Sequence, residues 1–267
     1  MISNKISDSN EISVENKSKY SDIEYLTRVK LAAAYRLVAH YKWDEVIYNH
    51  LTARIPGTDY ILLNPFGMRF DEVTASSLVK LDLEGNIIDE GSSNLGINST
   101  GYVIHGAIHR ARPDIESTMH THVNDVVAVA CYKEGLLPIS QNALIVGDVS
   151  YHDYEGISVN LEEQGRIVKS LGSENKCLIL RNHGIVTCGN CVEEAFYFLY
   201  QLTKACEIQV KMLSIVGGDT SKLTIPSEEI KDFVIKTARS FTKQGNGKKE
   251  FKALYRLIET IDDSFKN

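Results

Sequence analysis

No stretch of this sequence is apolar enough to span a membrane. The longest uninterrupted apolar run, Val126 to Tyr132, has seven residues, against the ~18 that a spanning helix needs. Basic blocks are also missing. Lys and Arg number 29 against 35 Asp and Glu, a net charge of −6, so neither nucleic acid nor a membrane surface is an expected partner. Cysteine is sparse: Cys131, Cys177, Cys188, Cys191 and Cys206 are scattered and odd in number. The opening residues MISNKISDSNEISVENKSKY hold no apolar leader core, so a cytoplasmic protein with free thiols is the expectation. Cys188-Gly-Asn-Cys191 has no second C-x-x-C pair and is read as coincidental spacing. There is no G-x-G-x-x-G, no Walker-type loop and no G-x-S-x-G elbow, which removes the usual support for nucleotide and serine-hydrolase chemistry.

What is present describes a folded protein. The 267 residues are 43% hydrophobic and 24% charged, enough chain to bury roughly 70% of its unfolded surface without disulfides. Residues 1–20 are polar and read as a disordered tail. Ser21 and Glu24 form a capping box ahead of a helix that runs to about Tyr41. Short strands are expected over Val46–Ile55, Tyr60–Leu63 and Leu78–Leu81, and a turn at Asp82–Asn86 leads into Ile87-Ile88. The turn faintly mimics a calcium loop but is too short for one. Gly101–Arg112 reads as a helix, Ser117–His122 as extended, Val123–Tyr132 as a helix and Leu144–Val149 as a strand. Leu161–Leu171 reads as a helix, Cys177–Leu180 and Ile185–Thr187 as strands, and Val192–Val216 as one long helix. Helices over 227–241 and 249–262 complete a C-terminal arm. The division is a polar tail at 1–20, one α/β domain at 21–218 and a helical arm at 219–267.

Chemistry concentrates in the eight histidines. His120-Thr-His122 lies in an expected strand, where side chains at i and i+2 share a face and two imidazoles can meet one cation. His183 sits in Arg181-Asn-His-Gly184, where a strand opens into a turn. Three imidazoles with open positions make a catalytic-metal pattern, zinc first, with iron or manganese as alternatives. His105 and His109 share a helix face, but Gly106 stands where a zincin needs Glu. His105 is read as a packing residue, His109 as exposed, and His40 and His50 as isolated. His152 could enter a site.

His120-Thr-His122, Leu180-Arg-Asn-His-Gly184 and Ala111-Arg-Pro-Asp114 resemble the class II aldolase/adducin family. Further segments look like its adducin-head branch and short bacterial members: Tyr48–Arg54, Thr74–Leu78, Gly135–Pro138, Tyr151–Gly156 and Ala205–Gln209; separately, Phe251–Arg256 resembles the tail of the bacterial members. The resemblance covers about residues 22–218. It implies a three-layer α/β/α fold with a largely antiparallel central sheet, a metal held by His120, His122 and His183, and a ring-like homotetramer. It also implies loop residues that hold a sugar-phosphate-like substrate; the positions that match are Asn49, Gly67, Ser99 and Thr100.

Two departures separate this chain from the family's aldolases. Their acid/base Glu corresponds here to Gly101, and Phe66 stands where they carry a small hydroxyl residue. Loss of a proton-transfer group costs on the order of 10²–10⁴ in rate, which argues against an orthodox sugar-phosphate aldolase. Gly101 is expected to leave room beside the metal, with His152, Asp153 and Tyr154 as replacement acid/base residues. The expected function is a metal-dependent, lyase-like reaction on a small hydroxylated carbonyl compound; the alternative is a non-catalytic, adducin-like oligomeric scaffold. An actin-network role is not expected, because the long basic adducin tail does not follow Lys266.

Overall fold

A computed structural model of the chain describes residues 20–156, 162–241 and 247–267. The expected polar tail therefore lies almost wholly outside the described residues. Eight strands form one sheet: β1 (His50–Arg54), β2 (Ile61–Leu63), β3 (Val79–Leu81), β4 (Ile87–Asp89), β5 (Ser117–Thr121), β6 (Ser150–His152), β7 (Cys177–Leu180) and β8 (Gly184–Gly189). Their spatial order is β4-β3-β2-β1-β5-β8-β7-β6. Every neighbouring pair is antiparallel except β6 and β7.

Helices cover both faces. On one side α1 (Asp22–His40), α3 (Asn124–Cys131), α6 (Val192–Ile215) and α8 (Lys248–Ile261) pack with Leu51, Met119, Ile179 and Ile185 into the larger core. On the other, α2 (Ser99–Ala111) and α5 (Glu163–Leu171) contribute Ile104, Ile108, Ile167 and Leu171 against Leu178, Leu180, Val186 and Cys188. Residues two apart on a strand face the same way, so β7 divides Cys177 and Ile179 from Leu178 and Leu180. The three-layer architecture follows. Two further helices extend the α6 side: α4 (Gln141–Val146) packs on α6 and adds Val146 to the larger core, and α7 (Glu228–Phe241) packs on α4. No described helix is long and apolar enough to cross a membrane, and all five cysteines are free thiols.

Three expectations about local structure need correction. Leu144–Val149 is not a strand: Ser140 caps α4 by accepting a hydrogen bond from the Ala143 amide, and Gly147 ends the helix. A short apolar run does not distinguish buried strand from buried helix, and the cap decides. The strand near Val46 begins only at His50, because Val46 adopts φ +53°, which interrupts an extended chain. At Ser21 only half the capping box forms. Ser21 Oγ accepts from the Glu24 amide, whereas the Glu24 carboxylate takes Arg28 and Lys80.

Arg28 ties α1 to the sheet edge. Its side chain is fully buried; Nε donates to Glu24 Oε1 at 3.0 Å, and Nη1 donates to the Ala75 and Leu78 carbonyls at 3.2 and 2.7 Å. The Tyr20 ring lies 3.9 Å from its guanidinium carbon. Without Arg28 the Ala75 and Leu78 carbonyls lose their buried donor and Glu24 keeps only Lys80, a break in a buried, hydrogen-bonded ion-pair network. Arg28→Met is therefore expected to lower stability by about 3–5 kcal/mol in urea denaturation; a change within ~1 kcal/mol would contradict this account. The C-terminal arm packs on the same region. Phe251, Tyr255, Ile258 and Phe265 are buried in the larger core, and the Phe265 and Asn267 carbonyls accept from the Ala75 and Ser76 amides.

Candidate metal centre and cavity

Antiparallel pairing places His50 of β1 opposite His120 of β5. His122 follows two residues on, just beyond the strand. The tight connection Arg181–His183 between β7 and β8 brings in His183. Its geometry is set locally: Asn182 takes φ +58°, a region Asn tolerates, and the Arg181 guanidinium donates to the Tyr132 carbonyl while lying over the Tyr151 ring. Gly184 lets β8 approach β5, since a Cβ there would strike the Thr121 carbonyl and come 2.9 Å from His122 Cδ2.

The donor atoms of His120, His122 and His183 all lie within 4.8 Å of one another. The two strand-derived rings are oriented by outer partners. His120 Nδ1 donates to the Ile185 carbonyl at 2.8 Å, and His122 Nδ1 lies 2.6 Å from Glu45 Oε2. Both therefore present Nε2 inward, and these two atoms are 2.7 Å apart. With each Nδ1 protonated toward its outer acceptor, two bare lone pairs face one another in a partly buried space. A shared proton or a cation relieves that repulsion. A tetrahedral ion with ~2.0–2.1 Å bonds would spread such nitrogens to roughly 3.3 Å, a small adjustment. Burial lowers the His183 pKa to about 4, with the neighbouring His122 adding to the shift, and holds His120 well below its ordinary value. Neutral imidazoles are the ligating form, so the donor set fits a metal.

The three histidines open into a cavity of about 510 Å³, whose wall also includes Glu45, Tyr48, His50, Asn98, Tyr154 and Asn182. Of the expected acid/base residues, Tyr154 lines this cavity. His152 does not: it is buried, with Nδ1 at 3.0 Å from Ser170 Oγ and Nε2 at 3.5 Å from Glu163 Oε1. Asp153 is exposed next to it. Of the expected ligand-contact positions, Asn49 is buried and its Oδ1 accepts from the Glu45 amide at 2.6 Å. Gly67 lies in an exposed turn with φ +104°. Ser99 and Thr100 open α2, directly after the cavity residue Asn98.

Two expectations about the surroundings are overturned. His109 is not exposed; it is 1% accessible, because the α2 face that carries it packs on β1. Nor does Gly101 leave empty room. A Cβ there would lie 2.6 Å from His50 Nε2 and 2.8 Å from Cγ, so the His50 ring already occupies that space. His50, isolated in the sequence, and Glu45, which no motif marks, both belong to the site. The usable signal for His50 was its place opposite His120 on a neighbouring strand, which one sequence does not reveal. Glu45 carried no signal beyond being a carboxylate.

A largely antiparallel eight-stranded sheet between helical layers, with three histidines converging at the ends of its inner strands, defines the class II aldolase type of protein. The chain belongs to the Class II Aldolase and Adducin N-terminal domain family, which matches residues 29–210. It is 43% identical to alpha-adducin of Mus musculus over 263 residues, covering 94% of this chain and 35% of that protein; it thus spans about a third of that relative's length. Among solved structures, an aldolase II superfamily protein from Pseudomonas syringae superposes with a TM-score of 0.86 at 42% identity, covering 93% of this chain and 98% of the other. L-fuculose 1-phosphate aldolase from Glaciozyma antarctica PI12 superposes with a TM-score of 0.78 at 26% identity, covering 94% and 97%.

Proposed function

We propose that His120, His122 and His183 hold a divalent cation, zinc first with iron(II) or manganese as alternatives, and that the site acts on a small hydroxylated carbonyl compound in a lyase-like reaction. The observation that carries this reading is the pair of Nε2 atoms brought together while Ile185 and Glu45 take the outer nitrogens. A bound cation there supplies Lewis acidity toward a carbonyl oxygen. The chain's own residues do the remaining work. Glu45 orients His122, Asn98 and Asn182 offer amide groups for ligand hydroxyls, and Tyr154 is the acid/base candidate that reaches the cavity wall.

Metal analysis after extensive dialysis is expected to find one divalent ion per chain. His183→Ala is expected to weaken zinc binding by more than about 100-fold, and Glu45→Gln by about 10–100-fold as the loss of an orienting partner. Zinc-loaded protein is then incubated in deuterated buffer with small hydroxyketones and hydroxyaldehydes. Metal-dependent exchange or cleavage, followed by proton NMR, supports catalysis. Stoichiometric metal with neither outcome across the panel favours the adducin-like scaffold, the reading that the His50-filled space at Gly101 and the likeness to alpha-adducin support. In either case we expect a homo-oligomer, a tetramer by family resemblance. Ile230 and Phe233 on α7 are 50% and 65% exposed, apolar surface that a neighbouring copy would cover. Light scattering that finds a monomer at micromolar concentration would refute this.

A further inference from the structure

Behind the cavity, four side chains form a continuous buried line. β1 contributes His50 and Thr52, two apart and on one face; α2 contributes His105 and His109, four apart and on one face. His50 Nδ1 is 2.9 Å from His105 Nε2. His105 Nδ1 is 2.7 Å from Thr52 Oγ1. Thr52 Oγ1 is 2.9 Å from His109 Nε2, and His109 Nδ1 is 3.3 Å from the Ile115 carbonyl oxygen.

The direction of every hydrogen bond follows from the last one. A carbonyl oxygen only accepts, so His109 carries its proton on Nδ1 and leaves Nε2 bare. The single Thr52 hydroxyl proton must then go to His109 Nε2, although the Thr118 carbonyl lies 3.3 Å away as a weaker acceptor. Thr52 Oγ1 has no proton left for His105, so His105 Nδ1 donates to it and His105 Nε2 is bare. His50 Nδ1 donates to that atom, and His50 Nε2 is left with a lone pair. Burial keeps these rings neutral: it brings the pKa values of His50 and His109 down to about 3 and that of His105 well below its ordinary value. The reverse polarity would set the His109 Nδ1 lone pair against the Ile115 carbonyl, an unsatisfied contact in a water-excluded place.

We propose that this chain locks His50 in the Nδ1–H tautomer and so makes its Nε2, at the cavity wall beside Gly101, the acceptor that fixes a hydroxyl group of the ligand. The proposal rests on the cavity's being a ligand site, as argued above, but not on the metal. It names a specificity determinant: a ligand with a hydroxyl donor at this point is favoured over the same ligand without one. His50 acts as a fixed acceptor and does not change protonation in this role.

The test reads the tautomer directly. Long-range ¹H–¹⁵N spectra of histidine-labelled, metal-free protein at neutral pH, with His50 assigned by loss of its signals in His50→Phe, are expected to show Nε2 unprotonated. Thr52→Ser keeps the hydroxyl and is expected to keep the tautomer. Thr52→Val cuts the chain and is expected to give a mixture. An Nε2–H tautomer in the natural protein, which needs no variant to fold, overturns the proposal. Hydroxyacetone and acetone are then titrated into the natural protein and His50→Phe, with and without zinc. The preference for hydroxyacetone is expected to fall by roughly tenfold in the variant, the size of one hydrogen bond; an unchanged preference overturns the acceptor role. Absence of bound zinc with the Nδ1–H tautomer intact defeats the metal reading alone, and bound zinc with an Nε2–H tautomer defeats this inference alone.

Discussion

Acidification of the metal-free protein from pH 7 to about 5 is expected to unfold it, before its carboxylates are protonated. Four imidazoles are buried and neutral in the fold. His50 and His109 have pKa values of about 3, and His105 and His120 lie well below the ordinary value. Burial is the leading cause in each case, with neighbouring imidazoles adding at His50, His105 and His120, and Arg54 at His109. In the unfolded chain all four return to about 6.5. Below that pH the unfolded state binds protons that the folded state refuses, so stability is full above about 6.5 and falls as pH drops toward the folded values. Each such group costs about 1.4 kcal/mol per pH unit. His50 and His109 alone cost on the order of 5 kcal/mol by pH 4.5, comparable to the whole stability of a typical domain. The carboxylates with lowered values, such as Asp82, Asp114 and Glu155, begin to matter only below about 4.5, so the window between 6.5 and 5 belongs to histidine. Urea denaturation with a chelator present, repeated across that window, gives the proton uptake as a slope. With His183, also lowered to about 4, joining the four, between two and five protons per unfolding event are expected; an uptake below one would show that these imidazoles are solvated or charged in the native state.

Much of the scaffold was legible because periodic patterns report burial. The short apolar run Cys177–Leu180, the Ser21 cap and the Gly172 stop each state a local rule that the fold obeys. The convergence of His120, His122 and His183 was legible from local position, since the first two lie two apart at a strand end and the third stands at a Gly turn. Interactions between distant segments left no such trace. His50 looked isolated because its partner His120 is 70 residues away, joined to it only by the β1–β5 pairing. His109 looked exposed because helical spacing defines a face without saying what covers it. The Leu144 segment failed on length: six apolar-rich residues suit either a strand or a capped helix.

Gly101→Glu is the substitution in which these two levels of reading collide. The sequence leads to an expectation of room beside Gly101; the structure puts the His50 ring in that place, with Nε2 and Cγ at 2.6 and 2.8 Å from the new Cβ. The ring cannot swing aside at little cost, because its Nδ1 is held by His105 and its neighbours are buried. Forcing it out combines overpacking with a stranded His105 acceptor, a loss on the order of 3–5 kcal/mol in all. Gly165→Ala is the matching control. It too lies in a helix, but its Cβ meets nothing within 4 Å, and it is expected to gain about 0.5–1 kcal/mol by restricting the unfolded chain. A double-mutant cycle isolates the cause. If the clash with His50 dominates, His50→Ala in the Gly101→Glu background costs less than His50→Ala alone, with a coupling of about 1–3 kcal/mol between the two sites. The same variant bears on chemistry, because a carboxylate that enters only by displacing His50 also removes the acceptor at the cavity wall. Additive effects in the cycle, or a Gly101→Glu protein as stable as the natural one, would mean that α2 shifts freely against β1 and that the His50 ring does not define the wall of the site.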